Sequence, residues 1–374
     1  MKTIIAVPDF TRNAHLKKIL PGLIKRLNGD IEIIIATGLH RPPTRKEIKV
    51  GLGLDKPRRL PFGQPTRLNK VKISVHNHGK NHVVYFGKTK KGIPVYLNKK
   101  LKNIDSIITV GVVEPHLYAG YSGGTKVAAI GLAGEKTINA THHPRFLDHP
   151  GTTLCSISGN PFRAFIEEVS NLLPITHSIN IVNDENGDLK NVFEGKPGPC
   201  FRKAASYSKK LYEKKVRKGY DIVICNIPRE KGENIYQASR AFNYVANTKK
   251  NILNKNSIIL VKADLSEGFG KGLGEKRFMK TIIKMKDPRK LILKIKKKGC
   301  LAGEHRAYMV AKAMLKAKLG FISKRAYLYK NKGLPFLFFK NSGEAAKFIK
   351  KSFKKSAIYC LKNSFTTILV KNHN

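Results

Sequence analysis

Eight short runs of β-branched and aliphatic residues, each closed by a proline, a glycine or a polar side chain, limit what this chain can fold into. They are Thr3–Val7, Ile31–Ala36, Val71–Val75, Ser106–Gly111, Asp221–Asn226, Ser257–Ala263, Pro335–Phe339 and Thr366–Val370. A strand exposed on one face alternates apolar and polar residues, whereas a strand covered on both faces reads as a continuous apolar run. Most of these runs are near-continuous and of the second kind. Helix-like stretches separate them, which predicts α/β layers with mainly parallel sheets. One helix start is explicit: Thr44-Arg45-Lys46-Glu47, after Pro42-Pro43, has the spacing of a capping box.

A chain of 374 residues is long enough for two domains of ordinary size. Glu194–Pro199 (EGKPGP) reads as a loop and is followed by a basic helical segment and a new strand at Asp221. The domain boundary is therefore expected near residues 195–215, dividing the chain into 1–205 and 206–374. The last strand, Thr366–Val370, could belong to either domain.

The formal net charge is +47, from 72 Lys and Arg against 25 Asp and Glu. Such an excess raises the question of a polyanion partner. The lysines are spread along the whole chain, and no RNA-binding signature accompanies them. They read as solvated surface charge, with no specific nucleic-acid partner expected. A basic nucleic-acid-binding protein remains the alternative from outside enzymology. The five cysteines are scattered and form no CxxC pair, so neither a disulfide framework nor a zinc knuckle is expected. No apolar run is long enough to span a membrane and no secretory signal is evident, which points to a cytoplasmic protein.

Polar residues gather just after the predicted strands, where open α/β sheets bind ligands. Asp9 and Arg12 lie three apart after the first strand, and an arginine there can clamp a carboxylate. His40 follows the second strand in Thr37–Pro42 and can serve as an acid or a base. Glu114–Lys126 (EPHLYAGYSGGTK) follows the strand that ends at Gly111. Its Ser122-Gly123-Gly124 offers backbone N–H groups that could cradle a phosphate, and Lys126 closes the loop as a cation or nucleophile. It has neither Walker A nor GxGxxG spacing. Of the adjacent His142 and His143, only one can turn toward a given site, as a metal ligand for example. His76, His78 and His82 read as an exposed turn.

Taken together these segments resemble the nickel-dependent lactate racemase family. The motifs are DFTR (Asp9–Arg12), TGLHRP (Thr37–Pro42), EPHLYAGYSGGTK (Glu114–Lys126), HHP (His142–Pro144) and GNP (Gly159–Pro161). His116 and Lys126 are ten apart and Lys126 and His142 sixteen apart, as in the family. The resemblance returns at Ile235–Arg240 and Glu267–Gly270. It implies a racemase or epimerase that inverts C2 of a small, lactate-like 2-hydroxy acid. The implied route is reversible hydride transfer through a 2-oxo acid to a covalently held nickel-pincer nucleotide, a pyridinium-3-thioamide-5-thiocarboxylic acid mononucleotide carrying Ni(II).

On this resemblance Lys126 carries the nucleotide, Ser122, Gly123 and Gly124 help to hold it, and His142 is a nickel ligand. His40 and His116 are the catalytic pair, one base for each enantiomer. Arg12, Asp9, Gln237 and Arg240 bind substrate. Residues 1–205 become the cofactor-binding catalytic domain, with the active site in the cleft toward 206–374. Cofactor-biosynthesis proteins are the implied partners. Two positions depart from the pattern. Arg240 replaces the usual lysine, and Ile130 stands where a proline is common. The first leaves a larger 2-hydroxy acid open, such as malate or an aromatic or sugar-derived acid.

Overall fold

The computed structural model describes residues 1–53, 71–248 and 251–371. In chain order the strands are β1 Lys2–Pro8, β2 Asp30–Ala36, β3 Lys72–Val75, β4 Val83–Lys88, β5 Pro94–Asn98, β6 Ser106–Val112, β7 Pro115–His116, β8 Gly120–Tyr121 and β9 Ile175–Asn183. They continue as β10 Leu189–Gly195, β11 Glu213–Val216, β12 Tyr220–Asn226, β13 Leu253–Lys262, β14 Lys318–Ile322, β15 Leu337–Phe339, β16 Ile358–Leu361 and β17 Ile368–Lys371. Among the described residues no helix is long and apolar enough to cross a membrane.

The chain divides into two compact units. The first holds Met1–Glu114, Ser122–Thr141 and Phe162–Ser208, and the second holds Pro115–Tyr121, His142–Pro161 and Lys209–Asn374. Each unit thus takes in short segments that lie, in sequence, inside the other.

The first unit is built on a six-stranded sheet of order β10-β9-β6-β1-β2-β3. Every pairing is parallel except β9 with β10. Residues 3–8 of β1 and all of β6 are buried, as a sheet covered on both faces requires. Ile5, Val7, Ile33, Ile35, Val110, Ile179 and Ile181 pack with Leu20, Leu23 and Ile24 of the helix Leu16–Lys25 into one core. Strand order reverses at β1, with β2 on one side and β6 on the other. Ligands of open α/β sheets bind beyond the carboxyl ends of strands at such a switch point. The residues there are Asp9–Arg12 after β1 and Glu114 after β6.

The second unit has a wholly parallel sheet of order β15-β14-β13-β12-β16. Ile222, Ile258, Leu260, Ile322 and Phe339 form a core on it. β7 and β8 make a small antiparallel pair.

The predicted strands are present, and the helix at Arg45–Leu52 starts with a complete capping box between Thr44 and Glu47. Three readings change. Glu194–Pro199 is not a loop: β10 runs to Gly195 and a helix, Pro197–Tyr212, starts two residues later. Proline is tolerated there because the first turn of a helix has no use for its N–H groups. The last strand pairs in parallel with β11 inside the second unit. His76 is 3 % exposed, not on an open turn. Its Nε2 meets the Ala133 carbonyl at 3.0 Å and its Nδ1 meets the Asn98 amide at 3.0 Å. Burial pushes its pKa down to about 4.

Candidate active site

In the first unit the ends of three neighbouring strands are tied together by polar side-chain pairs. His40 Nδ1 lies 2.7 Å from Asp9 Oδ2. Asp9 also accepts from the Thr11 hydroxyl at 2.5 Å and the Thr11 N–H at 3.2 Å. Burial would raise the Asp9 carboxyl, but His40, Thr11 and Arg12 together hold it below its ordinary value. It is therefore a carboxylate at neutral pH, and Nδ1 of His40 must be the donor. That fixes the neutral His40 ring with its lone pair on Nε2, the arrangement of a general base.

Arg12 forms an ion pair with Glu114. The pair joins the carboxyl end of β1 to that of β6, next to the strand-order reversal. Arg12 is thus held in place by a carboxylate of the protein itself. Glu114 was not singled out in the sequence as its partner, although it ends the strand beside Asp9's.

The glycine loop departs from its expected use. Ser122 is 2 % exposed, donates to the Val112 carbonyl at 2.7 Å and accepts from the Glu114 N–H at 3.2 Å. The N–H of Gly124 donates to Asn180 Oδ1 at 2.6 Å. Gly123 and Gly124 have φ of 78° and 57°. A Cβ on the first would meet Val113 at 2.5 Å and on the second Phe201 at 2.9 Å. The glycines serve a left-handed turn packed against the protein, and the polar groups of Ser122 and Gly124 are spent internally. What the turn delivers is Lys126, half-buried at the first residue of the helix Lys126–Ala129.

In the second unit His116 lies on the β7–β8 pair. Its Nδ1 accepts the N–H groups of Tyr118 at 3.2 Å and Ala119 at 3.1 Å. The proton of the neutral ring is therefore on Nε2. His40 and His116 are in opposite tautomers: one presents a lone pair and the other an N–H.

The two adjacent histidines part company as their geometry demands. His143 caps the helix Pro144–Leu147, its Nδ1 accepting the Arg145 N–H at 3.3 Å. His142, 9 % exposed, instead packs among rings. Its centroid lies 5.5 Å from that of Tyr118 and 4.4 Å from that of His305. Tyr118 also meets His116 at 5.7 Å and His305 at 5.7 Å, edge to face. Burial and the neighbouring His142 and Arg306 push His305 well below the usual histidine range. It is neutral, and its Nδ1 accepts the Gly303 N–H at 2.9 Å.

Gln237 and Arg240 come together on consecutive short helices, Ile235–Ala238 and Arg240–Ala246. Arg240 Nη1 is 3.4 Å from Gln237 Oε1, and Nη2 is 3.5 Å from the Tyr244 hydroxyl. Tyr244 in turn donates to the Pro115 carbonyl at 2.7 Å, beside His116. His305 and Arg306 escaped the sequence reading. Both lie in the helix Glu304–Met314, where they are buried beside Ala307, Tyr308 and Val310.

Residues 1–154 match the family model of the lactate racemase N-terminal domain. Beyond that segment the chain is similar to two lactate racemases. It is 24 % identical over 324 residues to the lactate racemase of Thermoanaerobacterium thermosaccharolyticum, covering 84 % of this chain and 72 % of that one. It is 26 % identical over 273 residues to the lactate racemase of Lactiplantibacillus plantarum, covering 71 % and 61 %. Its fold is that of the lactate racemase apoprotein from T. thermosaccharolyticum, with a TM-score of 0.83 at 23 % identity over 99 % of this chain and 86 % of that one. A Thermotoga maritima protein is similar at TM-score 0.77 and 15 % identity, over 99 % and 94 %. Both sequence relatives are named as lactate racemases, which are isomerases.

Proposed function

We propose that this chain is a member of the lactate racemase family and inverts C2 of a small 2-hydroxy acid through a 2-oxo intermediate. The observation that carries the reading is the Asp9–His40 pair, a carboxylate-oriented imidazole at a switch point of the sheet. The family relatives support the choice of reaction. The C2–H of a 2-hydroxy acid is a poor proton donor, because the carboxylate beside it disfavours a second negative charge. Loss of hydride with the hydroxyl proton gives instead a flat 2-oxo acid, which can be reduced on either face.

The family cofactor fits the residues present. Among the described residues no three His, Cys, Asp or Glu side chains are grouped to hold a metal ion. A metal here needs most of its ligands from an organic group, to which one imidazole is a sensible addition. His142 is that imidazole and Lys126 the amine that would carry the nucleotide. When bound, a nickel-pincer nucleotide supplies the hydride acceptor.

The protein handles the proton and the charge. His40, oriented by Asp9, accepts the hydroxyl proton at Nε2. His116 offers its Nε2–H to an oxygen of the bound acid. Arg12, steadied by Glu114, and Arg240 with Gln237 hold the carboxylate. The test is racemisation of enantiopure lactate and longer 2-hydroxy acids by chain produced beside the cofactor-biosynthesis proteins, with the 2-oxo acid trapped. Interconversion without exchange of the C2 hydrogen into solvent supports the proposal. Wash-in of solvent deuterium at C2 at the rate of turnover would replace hydride transfer by proton abstraction.

A further inference from the structure

Two guanidinium groups of the second unit are buried without a counter-charge. Arg306 is 7 % exposed and Arg240 is 8 % exposed, and neither faces a carboxylate among the described residues. Arg306 lies 5.3 Å from the ring centre of Tyr236 and 5.9 Å from that of Tyr118. Its Nε is buried with no hydrogen-bond partner. Arg240 lies 5.0 Å from the ring of Phe365, and its polar neighbours Gln237 and Tyr244 are neutral. Aromatic rings steady a cation but supply no anion. A buried charge is costly unless a partner compensates it.

The two cations flank one stretch of chain. Arg306 sits at Tyr236 and Arg240 at the adjacent Gln237, both on the helix Ile235–Ala238. Burial pushes the Tyr118 hydroxyl up to about 12, against the pull of both arginines. They are held by different rings, Arg306 by Tyr236 and Tyr118 and Arg240 by Phe365.

Charge counting then selects the substrate. Arg12 is ion-paired with Glu114 and so adds no net charge, although it can still donate to the carboxylate that Arg240 holds. A lactate-like acid brings one negative charge, and two uncompensated guanidinium groups call for two; the cofactor's phosphate is the competing anion, which nicotinic acid mononucleotide tests. Resting on the racemase reading above, we infer that Arg240 takes the carboxylate next to C2 and Arg306 a second carboxylate, so that the preferred substrate is a 2-hydroxy dicarboxylic acid. Arginine suits the task because its planar fork matches a carboxylate in two parallel hydrogen bonds.

The experiment compares malate with lactate on the full chain, wild type, Arg306→Met and Arg306→Lys. On the cofactor-loaded enzyme, kcat/KM for malate should exceed that for lactate. In Arg306→Met the malate value should fall about tenfold to a hundredfold, the range for a lost hydrogen bond to a charged group, with the change carried by KM. The lactate value should fall less, and Arg306→Lys should recover part of the loss. On the cofactor-free chain, malate should raise the melting temperature of wild type and not of Arg306→Met. The unliganded Arg306→Met chain should itself melt no lower than wild type, because an uncompensated buried cation has been removed.

Equal use of malate and lactate, or malate binding that survives Arg306→Met, would overturn the inference. So would a variant that keeps malate but loses nicotinic acid mononucleotide, since the cation would then serve a phosphate. If malate binds through Arg306 yet the loaded enzyme interconverts no 2-hydroxy acid, the racemase reading fails and the dicarboxylate site stands.

Discussion

Asp9 Oδ2 and His40 Nδ1, 2.7 Å apart, join the carboxyl ends of two adjacent parallel strands, β1 and β2. The contact decides which nitrogen of His40 can take a proton. An asparagine at position 9 keeps the size but loses the charge that holds Nδ1–H, so the ring can settle with the wrong nitrogen protonated. Asp9→Asn should lower kcat about a hundredfold, within the worth of a positioned general base, while KM moves little. Steady-state kinetics in both directions check this. A kcat within about threefold of wild type would remove Asp9 from the orienting role.

His116 makes the opposite prediction. Its Nδ1 is held by the N–H groups of Tyr118 and Ala119, so Nε2 carries the proton and the ring acts as a neutral donor. A glutamine amide can also donate. His116→Gln should therefore keep about a tenth of wild-type kcat, whereas His40→Gln should lose about a hundredfold or more. Nitrogen-15 shifts of the two rings report the tautomers without any turnover. Equal losses in the two variants, or a lone pair on Nε2 of His116, would make it a second base, as the family resemblance implied.

The strands were legible because burial on both faces leaves an unbroken apolar run, as in Ser106–Val112, where every residue is buried. The hairpin of β9 and β10 was passed over, although Asn186-Gly187 marks its turn and Gly187 has a φ of 90°. Its polar residues sit on a partly open strand whose alternation is broken by a bulge. At the site, side chains that end strands were readable, because sheet topology puts strand ends together. Partners were not. Nothing local in the sequence says that Arg12 will meet Glu114 102 residues away, or that Ser122 and Gly124 will spend their polar groups on Val112 and Asn180. Single histidines were ambiguous for the same reason. His76 and His142 differ in what the fold brings to each ring, not in their neighbours along the chain.

Lys126 and His142 are assigned separate duties toward the nucleotide, one covalent and one through the metal. The two should therefore fail separately. In chain made beside the cofactor-biosynthesis proteins, Lys126→Ala should show neither a mass adduct nor nickel. His142→Ala should keep the adduct in intact-mass spectra while its nickel content falls severalfold, since one ligand of the metal is lost. Adduct on Lys126→Ala, or full nickel in His142→Ala after dialysis, would reassign the residue concerned.

His76 gives a prediction about stability with a defined sign. Its folded pKa is lowered by burial to about 4, from an ordinary 6.5. Above 6.5 the ring is neutral in both folded and unfolded chains, and its contribution is at its maximum. As the pH falls below 6.5 the unfolded chain binds a proton that the folded one refuses, so stability drops until the pH reaches about 4 and then levels off. A difference of this size corresponds to roughly 3 kcal/mol. His76→Gln removes the titration but also disturbs the bonds to Ala133 and Asn98. It should be less stable than wild type at pH 7 and lose less than wild type between pH 7 and pH 5. Urea unfolding midpoints at the two pH values measure both effects. Parallel loss in wild type and variant over that interval would place the acid sensitivity elsewhere in the chain.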